Sequence, residues 1–138
     1  MTPLSTPLLK DALDVYAKAA LGKKASRLVM LDVRGLSSIT DVFLVCSGQS
    51  NRQVTAIAEH IRADLKKQGI RPLSIEGLAE GHWVVMDYGD VIIHVFYEPI
   101  RTFYDIEGLW ADANRIITPG MLAVPAPDDE MEPPNGKK

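Results

Sequence analysis

The stretch WVVMDYGDVIIHVFY, residues 83–97, limits the fold more than any other. Two apolar runs rich in branched and aromatic residues flank Tyr88-Gly89-Asp90. A glycine in a short turn between such runs predicts a tight β-hairpin. Alternation along a strand sends Trp83, Val85 and Asp87 to one side and Val84, Met86 and Tyr88 to the other. By the same rule His94 shares a face with Ile92 and Phe96. Apolar residues therefore point both ways. One helix layer cannot satisfy both faces, so the second face must also be covered or must meet a partner.

The rest of the chain supplies the covering elements. Leu9, Leu13, Tyr16, Ala17, Ala20 and Leu21 recur at helical spacing, with Pro7 at the start and Gly22 at the end. SRLVMLDV (26–33) and DVFLVCSG (41–48) read as buried strands joined by turn residues. Residues 50–68 read as an amphipathic helix, with Val54, Ile57, Ala58, Ile61 and Leu65 on one face and Gly69 ending it. RPLSIEG (71–77) and the two hairpin runs add three strands, the last stopped by Pro99. Residues 101–117 read as a short, partly helical segment that packs Phe103, Ile106, Leu109 and Trp110. From Thr118 onward five of the nine prolines and a surplus of acids predict a disordered tail. The expectation is one α/β domain over 1–117 and a tail over 118–138. Its order is α-β-β-α-β-β-β-α around a mixed sheet of about five strands with flanking helices. Segments 41–69 and 72–77 form a candidate strand–helix–strand crossover.

Charge narrows the partners. The net charge is −3 and the longest basic runs are the pairs Lys23-Lys24 and Lys66-Lys67. Holding bare nucleic acid by its phosphates calls for a basic surplus or stripe that this chain lacks, so no direct sequence-specific nucleic-acid contact is expected. If the protein works near RNA, a basic protein there is the expected partner. A single cysteine excludes an internal disulfide. The N-terminus lacks secretory character and no apolar run nears the ~20 residues of a membrane helix. These features point to the cytoplasm.

Two stretches invite an enzymatic reading. CSGQSNRQV (46–54) places a glycine turn between a strand and a helix, as phosphate-binding loops do. It has neither the Lys-Ser/Thr of a Walker loop nor three glycines. Ser50 and Gln53 instead make a capping box, which fills the helix donors internally. The second reading is a metal-dependent nucleotidyltransferase, whose paired carboxylates must share one strand face to reach the same magnesium ions. Asp87 and Asp90 are three residues apart and straddle the turn, so alternation does not bring them together. Asp32 and Asp41 sit at strand ends, where turn capping is the simpler role. His60 and His82 read as solvated, Cys46 as a small buried hydrophobe, and His94 as a hydrogen-bonded strand histidine. No catalytic residue, metal ligand or cofactor site is predicted. The unusual density is aromatic: Trp83, Tyr88, Phe96, Tyr97, Phe103, Tyr104 and Trp110 cluster in the hairpin and its continuation. Such composition marks either core or interface, with Arg52 and Arg101 as charged anchors and Asp87, Asp90, Glu98 and Asp105 facing basic residues.

Several of these motifs occur together in one family. D-x-R, S-x-x-D-x-F, G-x-S-x-R-Q, W-V-x-x-D-Y-G-D-V, H-x-F and R-x-F-Y follow in order, and Ile106-Glu107-Gly108-Leu109-Trp110 stands where L-E-x-L-W is usual. From about Leu9 to Ala113 the chain resembles the ribosomal silencing factors of the Iojap/YbeB family. The resemblance implies a mixed sheet distantly like nucleotidyltransferases but without their catalytic acids. It implies a translation repressor, not an enzyme, that binds the large ribosomal subunit through its fourteenth protein. Joining of the small subunit is then blocked sterically, and a link to large-subunit maturation is also implied. The motif residues Trp83, Asp87, Tyr88, Asp90, His94, Phe96, Arg101, Tyr104 and Trp110 are the expected partner-binding set. A homodimer of the free protein through the same aromatic hairpin is a further expectation.

Overall fold

The structure is a computed structural model that describes residues 7–122. Helix α1 (Pro7–Leu21) precedes strands β1 (Ser26–Asp32) and β2 (Val42–Gly48), and helix α2 (Asn51–Lys67) follows. Strands β3 (Ser74–Glu76), β4 (Trp83–Asp87) and β5 (Val91–Tyr97) lead into helices α3 (Glu98–Tyr104) and α4 (Ile106–Leu109). Strand β6 (Asn114–Arg115) and helix α5 (Pro119–Leu122) complete the described chain. One mixed sheet has the order β3-β4-β5-β2-β1-β6, with β2 and β5 parallel and every other pair antiparallel. Strand β3 therefore runs parallel to β2 with β5 and β4 between them. The β2–α2–β3 connection is a crossover that skips two strands.

The alternation predicted from the sequence divides the core. Val42, Leu44, Cys46, Val84, Met86, Ile93 and Val95 face α1 and α2, whose buried residues include Leu13, Ala17, Val54, Ile57, Ile61 and Leu65. Phe43, Val45, Ile92 and Phe96 face the opposite way, with Leu31, Val33 and Ile106. Long helices cover the first face; among the described residues only the short α3 and α4 reach the second.

Local chemistry explains the junctions. Gln53 N–H donates to Ser50 Oγ at 3.1 Å, while the Gln53 side chain accepts from Gln49 N–H at 2.6 Å. The reciprocal capping thus reaches one residue further back than a standard box. Gly48 has ordinary backbone angles; it is small because a Cβ there would sit 3.1 Å from Val54 Cγ2 and Val54 N. At the hairpin Gly89 has φ +91° and donates to Asp87 Oδ1 at 2.8 Å.

Three expectations are corrected. The sheet has six strands, because Asn114 and Arg115 pair with Asp32 and Leu31 on the free edge of β1. Pro99 starts a helix as well as stopping a strand, since the first helical turn needs no proline N–H. Residues Pro119–Leu122, expected in the tail, form α5 against α1: Gly120 N–H donates to the buried Asp14 Oδ1 at 2.7 Å. The remainder of the expected tail lies outside the described residues.

Candidate functional site

The second sheet face carries a row of aromatic rings. Phe96 on β5 is fully buried, and the Trp83 ring stacks on it at 4.8 Å between centroids. Tyr104, the last residue of α3, lies against the outer side of Trp83 at 5.0 Å and is half exposed. His94 is buried beside them, and Trp83 Nε1–H donates to its Nδ1 at 3.1 Å. Phe43 on β2 meets His94 edge-on at 5.0 Å and Trp110 at 5.3 Å. Burial pushes the His94 imidazole down to about 4, so the ring is neutral at physiological pH.

A buried ion pair sets the two short helices over this row. Arg101 is 1% exposed. Its Nε and Nη2 donate to the two carboxylate oxygens of Glu107 at 3.0 and 2.8 Å, and its Nη1 donates to Ser47 Oγ at 2.7 Å. The hydrogen bond from Arg101 is the leading cause that holds the Glu107 carboxyl below its usual value, against partial burial. Between the helices Asp105 adopts a left-handed conformation, φ 46° and ψ 55°. Its N–H closes α3 on Arg101 O, and its carboxylate caps α4 at Gly108 N–H. This elbow leaves Phe103 and Leu109, both 78% exposed, on the outside.

The nine predicted partner-binding residues therefore separate. Trp83, Tyr104 and Trp110 reach the surface of the aromatic row. Phe96, His94 and Arg101 lie beneath it. Asp87 is half-buried and engaged by Gly89 N–H, and Asp90 is exposed in the turn. Tyr88 points to the other face, edge-on to Tyr16 at 5.7 Å, and burial pushes its phenol up to about 12. Phe103 and Leu109, expected to pack inward, are instead the most exposed apolar side chains of the elbow. The missed signal is Asp105, which breaks the helical register on which that packing was assumed. Among the described residues no group of three or more His, Cys, Asp or Glu is placed to hold a metal ion. Arg27 pairs with Glu98 close to the same ion-pair cluster.

Residues 6–138 match the family model described as ribosomal silencing factor during starvation, RsfS. The chain belongs to the RsfS family. It is 38% identical over 114 residues to the ribosomal silencing factor RsfS of Halalkalibacterium halodurans, which covers 83% of this chain and 97% of that one. The RsfS of Bacillus subtilis is 41% identical over 104 residues, 75% of this chain and 88% of that one. A crystal structure of a Chromobacterium violaceum protein superposes with a TM-score of 0.71 at 35% identity, over 74% of this chain and 85% of that chain. Membership fixes the broad role, ribosome silencing in translation regulation. The family model also runs past Ala113, where the motif resemblance stops, and takes in β6 and α5. No helix among the described residues is long and apolar enough to cross a membrane.

Proposed function

We propose that this RsfS-family chain represses translation by occupying the large ribosomal subunit, through its fourteenth protein, so that the small subunit cannot join. The observation that carries the reading is the elbow of α3 and α4. It presents Phe103, Tyr104 and Leu109 to solvent beside Trp83 and Trp110, on a sheet face without a full helix layer among the described residues. Exposed aromatics backed by a rigid sheet are suited to act as binding hot spots. The net charge of −3 and the exposed Asp90 and Asp105 suit a basic partner surface. Occlusion requires no chemistry, and the work is placed among ribosomes in the cytoplasm. When no ribosome is available, a second copy of the chain competes for the same apolar face.

Purified large subunits sedimented with the protein, then mixed with small subunits, test this reading. The protein is expected to pellet with large subunits and to suppress coupled particles. If it stays in the supernatant, or if coupled particles form in full while it is bound, occlusion fails.

A further inference from the structure

The aromatic row contains a polar group that its own packing does not use. The Trp83 indole N–H can only donate, so His94 Nδ1 must accept it. A neutral imidazole then carries its proton on Nε2. That Nε2–H is buried and meets no acceptor among the described residues. The side chain itself is only 6% exposed. Buried donors are almost always paired, so an unpaired one in the middle of a surface aromatic cluster calls for an explanation.

We propose that His94 is a recognition residue: its Nε2–H donates to an uncharged carbonyl of the docked partner protein. This rests on the docking reading above and names the polar contact at its centre. His94 sits between Trp83 and Phe96 on one side and Phe43 on the other. The outer members of the row, Tyr104 over Trp83 and Trp110 over Phe43, are partly exposed and sit at the C-terminal ends of the two short helices. Docking requires these side chains to turn aside; neither lies on a strand, so the sheet ladder is kept. Charge selects the acceptor. Asp87 lies on the same sheet face and Asp105 belongs to the covering elbow, while Glu107 is neutralised by Arg101, so the two remaining carboxylates disfavour a partner carboxylate. A main-chain or amide carbonyl on a basic protein meets the donor without that penalty. The Trp83 hydrogen bond fixes both the tautomer and the tilt of the ring, so the donor is oriented before the partner arrives.

The test compares binding of the full chain to purified large subunits for the wild type, His94→Phe and His94→Gln, each checked for folding by its thermal midpoint. Phenylalanine keeps a ring and removes the donor; glutamine keeps an acceptor for Trp83 and a donor beyond it. His94→Phe is expected to bind at least about tenfold more weakly, and His94→Gln to stay within about threefold of wild type. Wild-type affinity for His94→Phe, or equal weakness of both folded variants, overturns the proposal. Should the phenylalanine variant not fold, nitrogen-15 spectra of the wild-type imidazole decide the matter. With the isolated fourteenth protein of the large subunit added, the Nε2 proton is expected to shift downfield and to gain protection from exchange; an unchanged resonance in the bound state rejects the hydrogen bond. Failure of the wild type to bind large subunits at all would instead sink the docking reading.

Discussion

Arg101 is the largest fully buried side chain among the described residues, and its charge is met by Glu107 and Ser47 alone. Truncating Arg101 leaves a cavity beneath the elbow and strips the partly buried Glu107 of its partner. Arg101→Ala is therefore expected to lower stability by ~3–5 kcal/mol in urea unfolding. Arg101→Lys should recover little, because an ammonium cannot make the two parallel contacts to Glu107. A loss of ribosome binding in either variant would report a displaced elbow, not a lost contact. The pair also has a pH signature. The folded Glu107 carboxyl lies below its unfolded value, so its contribution is present above about pH 4.3 and is lost as the pH falls through the folded value. His94 acts in a higher window. Its folded value of about 4 lies below the unfolded 6.5, so the unfolded chain binds the proton first and stability declines as the pH drops from 6.5 to 4. The full decline is on the order of 3 kcal/mol. His94→Phe should flatten the unfolding free energy across that window; persistence of the slope would place the titrating group elsewhere. The sequence already marked His94 as a hydrogen-bonded strand histidine, but not the burial of Arg101. Arginine in an aromatic stretch reads as a surface anchor, and its burial depends on Ser47, 54 residues away, and on Glu107 beyond the left-handed Asp105.

At the scale of elements, legibility followed length. Helix α2 is 17 residues long, has a strict apolar face and carries its own cap, so its pattern and its structure agree. The hairpin strands were equally plain, because Gly89 and the alternation fix turn and register together. Strand β6 has two residues and α5 has four, too few for any period to show. Both exist because tertiary partners wait for them: the open edge of β1, and Asp14 on α1. Asp14 is buried, which opposes its ionisation, yet the Gly120 N–H and the Lys18 ammonium hold its carboxyl below the ordinary value. Gly120 fits only without a side chain, since a Cβ would lie 2.8 Å from Asp14 Oδ1 and 2.9 Å from Lys18 Cγ. Gly120→Ala is expected to cost ~1–3 kcal/mol through overpacking. Deuterium exchange at α5 should accelerate in that variant while the α2 amides stay protected. Unchanged protection at α5 would mean that the contact with Asp14 does not hold this end of the domain. At α2, Ser50→Ala should cost ~1 kcal/mol, the usual value of a lost N-cap.

Across the whole molecule, exposed apolar side chains of the described residues form two groups at the ends of β5, besides Ile117 and Leu122 near the end of the described chain. Phe103, Tyr104 and Leu109 follow its C-terminal end, while Ile39 and Leu73, about three-quarters exposed, lie by the Gly89 turn that precedes it. Thr40 Oγ1 donates to Gly89 O at 2.9 Å, and Leu73 N–H donates to Asp87 O at 2.7 Å, which holds that second group together. Apolarity alone does not choose between them. The elbow has two features the turn lacks: an aromatic row behind it, and the Arg101–Glu107 pair that fixes its position. Phe103→Asp combined with Leu109→Asp is expected to weaken large-subunit binding by more than ~2 kcal/mol, about thirtyfold, with little change in unfolding free energy. Ile39→Asp combined with Leu73→Asp introduces the same charge and removes comparable apolar area at the other end, and should leave binding within about threefold. Sedimentation of the free protein across a range of concentrations adds the second half of the comparison. If a second copy competes for the elbow, the Phe103/Leu109 variant loses self-association and ribosome binding together, while the Ile39/Leu73 variant keeps both. The reverse pattern would move the docking face to the Gly89 end and leave the aromatic row a structural core with one thin wall.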